Sequence, residues 1–238
     1  MTDAEPTAAD ARTGPEDALL DAALMHVPFD GWTETAFRAA ITDSGIDPTV
    51  ARGLFPRGAV DLAVAYHRRG DDLMAARLAQ SDLTGMRYSD RVAFAIRTRI
   101  EVADDREVVR RGTTLFALPM HAADGAQLLW GTADRIWTVM GDSSRDLNWY
   151  TKRATLSGVF SSTVLYWLGD ESHESDATWA FLDRRIGDVM RFEKVKSDVR
   201  ANPLGRRLMA GPDWLASQVR APERRDPGLP GGWLAPRR

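Results

Sequence analysis

Enzyme chemistry needs titratable or nucleophilic groups in a fixed pattern, and this chain offers few. Its four histidines, His26, His67, His121 and His173, fall in separate segments, and no two share the i, i+4 spacing that would put a metal-binding pair on one helix face. A di-iron helical bundle needs Glu-x-x-His on two facing helices. The nearest approach is one Asp170-x-x-His173 without a second copy. There is no cysteine, so neither thiolate chemistry nor a disulfide framework is available. Carboxylates sit in solvated-helix patterns such as Asp183-Arg184-Arg185 and Glu193-Lys194. Gly-x-Ser-x-Gly elbows, Gly-rich phosphate loops and dinucleotide fingerprints are missing. The residues thus predict no catalytic group, no metal and no cofactor.

The chemistry that does stand out is recognition. Asp146, Asn148, Trp149, Tyr150, Lys152 and Arg153 concentrate two adjacent large aromatics and several polar groups at the start of a predicted helix. Neighbouring residues on a helix point about 100° apart, so burying Trp149 tends to leave Tyr150 near a surface, where charge-rimmed aromatics act as interaction hot spots. The bland alternative is that Trp149 packs inward and Tyr150 only marks a helix boundary. Asp134, Trp137 and Met140 on the preceding helix, spaced i, i+3, i+6, would line one face or form an ordinary core stripe. Downstream, Leu156, Val159, Phe160, Thr163, Val164 and Trp167 recur at helical spacing with small residues between them. That mixture suits the wall of an apolar cavity, or close packing through Gly158. Trp179, Leu182, Ile186 and Val189 form a matching stripe on the next helix, part of which would serve a subunit contact.

Charge is unevenly spread. The net charge is −3, yet residues 200–238 carry eight arginines against three carboxylates, a tail of +5 on a body of −8. Within this tail, Leu204, Leu208, Trp214, Leu215 and Val219 supply an apolar side flanked by Arg206 and Arg207, the arrangement of a helix that lies on a membrane surface or folds back as a lid. Gly211-Pro212 interrupts it. The longest uncharged run, 154–169, is shorter than the ~20 apolar residues of a spanning helix. The N-terminal leader has neither a secretory apolar stretch nor the arginines of an organelle transit peptide.

These groups must be positioned by helices. Apolar spacing is helical nearly throughout and no strand alternation of any length is present, which predicts an all-α fold. Helices are expected at about 16–26, 33–44, 48–54, 57–69, 71–80, 88–103, 105–118, 123–141, 147–168, 174–199 and 204–219. Thr33 is placed to cap one start, Gly45 to end that helix and Asp47-Pro48 to open the next. The expected organisation is a leader (1–15), a helix-turn-helix-like unit (16–70), a helical lipid-binding and dimerisation region (71–200), an amphipathic membrane-contact segment (201–222) and a basic tail (223–238). The helix-turn-helix order resembles that of TetR-type regulators. However, residues 30–62 hold three arginines against five carboxylates, and a net −2 surface repels phosphates.

The runs Asp146-Leu-Asn-Trp-Tyr-Thr-Lys-Arg153 and Asp176-Ala-Thr-Trp-Ala-Phe-Leu-Asp-Arg-Arg-Ile-Gly-Asp-Val-Met190 resemble the lipid-binding accessory protein of coenzyme Q (ubiquinone) biosynthesis, the ninth Coq protein family, which shares the TetR-type fold. The resemblance covers roughly residues 17–200. It implies a non-enzymatic homodimer, cytoplasmic and peripheral to the inner face of a bacterial inner membrane. Such a protein binds an isoprenoid quinone precursor or other lipid and presents it to the pathway's di-iron hydroxylase, with no nucleic acid as partner. The Trp149–Tyr150 motif, with Asp134, Trp137, Met140, Asp146, Asn148, Lys152 and Arg153, would be the family's partner-docking patch. Leu156, Val159, Phe160, Thr163, Val164, Trp167, Trp179, Leu182 and Ile186 would hold lipid, and Leu204, Arg206, Arg207, Leu208, Trp214, Leu215 and Val219 would touch the membrane. The alternative is a TetR-type transcriptional regulator that senses a lipid.

Overall fold

A computed structural model describes residues 14–103, 105–142, 144 and 147–201. Asp146 and the expected membrane-contact residues Leu204, Arg206, Arg207, Leu208, Trp214, Leu215 and Val219 lie outside the described residues, as do most of the leader and the basic tail. The described residues form α-helices and no strand: α1 (Pro15–Leu24), α2 (Val27–Asp30), α3 (Glu34–Ser44), α4 (Pro48–Leu54), α5 (Ala59–Ala79), α6 (Tyr88–Glu101), α7 (Arg106–Ala117), α8 (Ala122–Val139), α9 (Leu147–Leu168) and α10 (Asp176–Ala201). A 3₁₀ turn at His173–Ser175 leads into α10.

The local signals act as their chemistry dictates. Thr33 Oγ1 accepts from the Ala36 N–H at the start of α3, and Gly45 ends that helix at φ 66°, a conformation that side chains disfavour. Asp47 accepts from the Thr49 N–H at 2.8 Å and opens α4 just before Pro48.

One expectation fails. Two helices predicted on either side of Gly70 are a single 21-residue helix, α5. A glycine inside a helix costs about 1 kcal/mol relative to alanine. Here the bare Cα gives the Arg99 guanidinium room to lie against the helix, because a Cβ on Gly70 would stand 2.7 Å from Arg99 Cζ. The flanking Arg69 and Asp71 are tied to Asp21 and Arg99. Another difference is α2, a single turn after Met25 that the periodicity did not indicate.

Two apolar cores result. The first joins Leu19, Phe37, Leu62, Trp32 and Val108 among α1–α5 and α7. The second joins Met74, Ile96, Ile136, Phe160 and Leu182 among α5, α6, α8, α9 and α10. The long α5 contributes to both, with Leu62 in one and Met74 in the other. Between the two cores the packing opens.

Candidate functional site

That opening is a cavity of about 400 Å³. Its walls come from α5 (Ala63, Tyr66, His67), α6 (Arg99, Ile100), α7 (Val108, Val109, Gly112, Phe116), α8 (Gly125, Leu128, Leu129) and α9 (Phe160, Val164, Trp167), with Trp32 between α2 and α3. Such a volume falls in the ~300–1,000 Å³ range of small-ligand sites, and most lining atoms are apolar, as in sites that exclude water. Small residues create the space. Gly112 faces the Trp32 indole, where an added Cβ would meet Nε1 at 3.5 Å. Gly125 allows α8 to approach α7, since a Cβ there would lie 2.9 Å from Phe116 Cβ. The Trp32 Nε1–H donates to the Val108 carbonyl at 3.3 Å, which secures one wall.

The cavity's polar side is a buried network. Arg99 Nε donates to Asp71 Oδ1 at 2.7 Å, and Nη2 donates to the His67 carbonyl at 2.9 Å. Thr132 Oγ1 donates to the same Asp71 oxygen at 2.8 Å, which leaves the hydroxyl oxygen to accept from His67 Nε2 at 2.8 Å. Burial, reinforced by the Arg99 charge, lowers the His67 pKa to about 3, so this imidazole is neutral at pH 7. Burial raises the Asp71 carboxyl, and Arg99 opposes the rise.

A second, smaller hollow of about 180 Å³ lies between α6, α8, α9 and α10, against Tyr88, Val92, Trp137, Lys152, Leu156, Val159, Ile186 and Met190. The residues expected to hold lipid are therefore divided. Phe160, Val164 and Trp167 line the larger cavity, whereas Leu156, Val159 and Ile186 line the smaller. Thr163, Trp179 and Leu182 line neither: Thr163 and Leu182 are buried in the packing, and Trp179 Nε1 donates to the Glu174 carbonyl at the start of α10. Periodicity along α9 located one wall. It missed the α5, α7 and α8 walls, whose sequence signal is the small-residue series Gly112, Ala117, Ala122, Gly125 and Ala126 on facing helices.

At the junction of α8 and α9 the polar residues make a different structure. Arg153 is fully buried and presents no side-chain surface. Its Nε donates to Asp134 Oδ1 at 2.6 Å, Nη1 donates to the Trp149 carbonyl at 3.0 Å and to Asp142 Oδ2 at 3.3 Å, and its guanidinium lies 3.9 Å from the Trp149 ring centre. Lys152 Nζ donates to Asp142 Oδ1 and Ser144 Oγ, both at 2.8 Å. Burial works against ionisation of Asp142, but the hydrogen bonds from Lys152, Ser144 and Arg153 prevail and hold its pKa at about 2.

Above this frame, Trp149 and Tyr150 stand edge to face at 4.7 Å, and both approach Trp130, at 5.8 and 6.2 Å. All three are half-buried. Trp130 was absent from the expected patch although it precedes Asp134 by four residues, one turn along the same face. Trp137 is buried between the Tyr88 ring and Lys152, and Met140 packs on the second core. Asn148 lies on the smaller hollow. No set of three or more His, Asp or Glu side chains is arranged to hold a metal among the described residues, and no helix among them is long and apolar enough to cross a membrane.

Comparison with known proteins follows the same division. Residues 122–193, which hold α8, α9 and most of α10, match the COQ9 family model. The chain is similar to the mitochondrial ubiquinone biosynthesis protein COQ9 of Drosophila melanogaster, 31% identical over 202 residues that cover 78% of this chain and 62% of that protein. It is 28% identical over 190 residues to the probable mitochondrial COQ9 of Dictyostelium discoideum, with 76% and 61% covered, and 27% identical over 201 residues to that of Homo sapiens, with 81% and 62% covered. The chain thus spans about three fifths of the length of the curated relatives it matches. Among solved structures, it is similar to a TetR transcriptional regulator from Nitrosomonas europaea, with a TM-score of 0.59 and 20% identity over 72% of this chain and 95% of that one. The fold is therefore TetR-like and all-α among the described residues.

Proposed function

We propose, from the match of residues 122–193 to the COQ9 family model and from the TetR-like fold, that the chain serves ubiquinone biosynthesis as a non-enzymatic lipid-binding accessory protein. It takes up an isoprenoid quinone precursor at the membrane and presents it to the pathway's di-iron hydroxylase. The observation that carries this reading is the 400 Å³ apolar cavity, walled on one side by α8 and α9, which lie in the segment that matches the COQ9 family model. A long isoprene tail exceeds that volume, so the cavity receives part of the ligand.

The half-buried Trp130–Trp149–Tyr150 cluster supports the patch at the α8–α9 junction as the hydroxylase contact, since aromatic side chains on a rigid base make strong anchors. Peripheral attachment to the inner face of a bacterial inner membrane is assigned to residues 201–222 on their basic, amphipathic sequence. A homodimer is assigned to α9 and α10, where Leu165, Tyr166 and Phe192 are exposed. The regulator alternative is disfavoured by charge. Arg38 and Arg52 pair with Glu34, and Arg57 pairs with Asp61 and Asp124, so these cations around α3 and α4 are already engaged within the chain.

Mass spectrometry of organic extracts from natively purified protein, against a mock purification, is expected to show enriched isoprenoid quinones or their precursors. A lipid-free protein that binds promoter DNA overturns the reading. Replacing Trp149 and Tyr150 together by alanine is expected to weaken hydroxylase binding about tenfold or more with the extracted lipid unchanged. Equal loss of both properties, or of neither, removes the patch assignment.

A further inference from the structure

A cavity meant only for hydrocarbon has no use for a buried guanidinium in its wall. Arg99 is such a group: its side chain is 8% exposed, it lines the cavity, and its charge lies 5.8 Å from the Phe160 ring centre on the same wall. Nε and Nη2 are engaged by Asp71 and the His67 carbonyl, whereas Nη1 makes no hydrogen bond among the described residues. The guanidinium is held in place by the Asp71 carboxylate on one side and by the bare Gly70 Cα under its face.

The ligand's charge follows from the neighbours. Asp71 cancels Arg99 at 2.7 Å, and His67, which also lines the cavity, is neutral. Nearby, Arg135 pairs with Asp72 on the protein surface, and Arg68, whose charge reaches His67, does not line the cavity. An anionic ligand would meet the Asp71 carboxylate as well as Arg99 and would gain no net attraction. A hydrocarbon would leave the Nη1 donor dry and unpaired.

We propose that the cavity selects an uncharged amphiphile with an oxygen acceptor, such as a carbonyl, ether or hydroxyl, that accepts a hydrogen bond from Arg99 Nη1. Arg99 is then a specificity-determining residue, and His67, Thr132 and Asp71 are positioning residues that fix it. The inference rests on the reading of this cavity as a lipid site and narrows the chemistry of the lipid.

Three probes of equal carbon count separate the two ideas: hexyl phenyl ketone, heptylbenzene and 4-hexylbenzoate. Each is titrated into delipidated full-length protein at pH 7.5 and followed by tryptophan emission, to which Trp32 and Trp167 in the cavity wall contribute. Partition out of water favours heptylbenzene, so a preference for the ketone cannot arise from hydrophobicity. The expected result is ketone binding at least tenfold tighter than either other probe. In the double variant Arg99→Met/Asp71→Leu, which removes both charges together, that preference is expected to vanish or invert. Ketone and hydrocarbon bound equally, or the benzoate bound most tightly, overturns the inference and leaves the lipid site standing. Failure of all three to bind overturns both. Should the double variant not fold, the wild-type series decides alone.

Discussion

Among the described residues two arginines are buried, and they do opposite things. Arg99 sits in the wall of a hollow with one carboxylate partner and an Nη1 that makes no hydrogen bond among the described residues. Arg153 sits under a surface with two carboxylate partners and a carbonyl, its face covered by Trp149. Each tethers helices, α6 to α5 in the first case and α9 to α8 in the second. The difference is where the remaining surface points. A buried cation beside empty volume becomes a chemical feature of that volume, whereas one packed beneath an aromatic ring, even with its Nη2 left without a hydrogen bond among the described residues, becomes a pedestal for what lies above it.

The sharpest way to break this contrast is to remove the pedestal. In Arg153→Met the Asp134 and Asp142 carboxylates lose a partner and Trp149 loses the charge beneath its ring. Asp142 keeps Lys152, and Asp134 is 42% exposed, so what is lost is hydrogen bonding between charged groups, about 1.5–3 kcal/mol. Urea unfolding is expected to register a loss of that size, and hydroxylase binding is expected to weaken with it. A loss under about 1 kcal/mol would mean that the buried network is not a support, since that is what an exposed pair contributes.

A comparison of two glycines sharpens the same contrast on the cavity side. Gly112→Leu adds a side chain to the cavity wall, where its Cβ meets Trp32 Nε1 at an ordinary 3.5 Å. Leucine is also a better helix former by about 0.8 kcal/mol. The variant is expected to keep or gain stability while losing most of its co-purifying lipid. Gly125→Ala instead drives a Cβ to 2.9 Å from Phe116 Cβ, so it is expected to lose about 1–3 kcal/mol by overpacking. Calorimetric Tm values together with extracted lipid per protein check both, and a fully loaded Gly112→Leu protein would rule out this cavity as the lipid site.

The two regions also differ in how much of them was legible in the sequence. Part of the patch can be read from the sequence, because Trp149, Tyr150, Lys152 and Arg153 are near neighbours, whereas Asp142, which holds Lys152 and Arg153, and Trp130 gave no signal of belonging to it. What could not be read was orientation. Arg153 on a charge-rich helix start suggests an exposed cation, and the approach of Asp134 from α8 together with Asp142 makes its burial tolerable. The cavity is assembled from five helices distant in sequence, so the spacing within α9 disclosed Phe160, Val164 and Trp167 and nothing of the opposite walls. Its polar side was hidden for the same reason: His67, Asp71, Arg99 and Thr132 span 65 residues and look like scattered surface groups. Helix class, the Thr33 and Asp47 caps and the Gly45 stop were legible because each rests on contacts within a turn. Gly70 misled because the group that explains it, Arg99, comes from another helix.

The smallest expected effect concerns the pH response of the cavity wall, and its sign is fixed. His67 is held neutral in the fold down to about pH 3, whereas the unfolded chain takes up that proton near pH 6.5. As pH falls below about 6.5 the unfolded state therefore binds more protons, and stability drops by up to about 1.4 kcal/mol per pH unit. Arg99 and Arg68, whose charges disfavour an imidazolium, act in the same direction as burial. Asp71, raised by burial against the opposing pull of Arg99, acts in the opposite sense in the wild type and in a His67 variant alike, so their comparison isolates the imidazole. Between pH 7 and 5.5 the histidine dominates, so the urea midpoint of the wild type is expected to fall while that of His67→Gln, which has no proton to gain, stays flatter. The Arg153 region contributes nothing in this window, since Asp142 at about 2 loses its charge only far below it. Parallel pH profiles for wild type and His67→Gln would mean that the imidazole is already solvated and that the polar wall is open to water, which would remove the dry donor on which the selectivity of Arg99 depends.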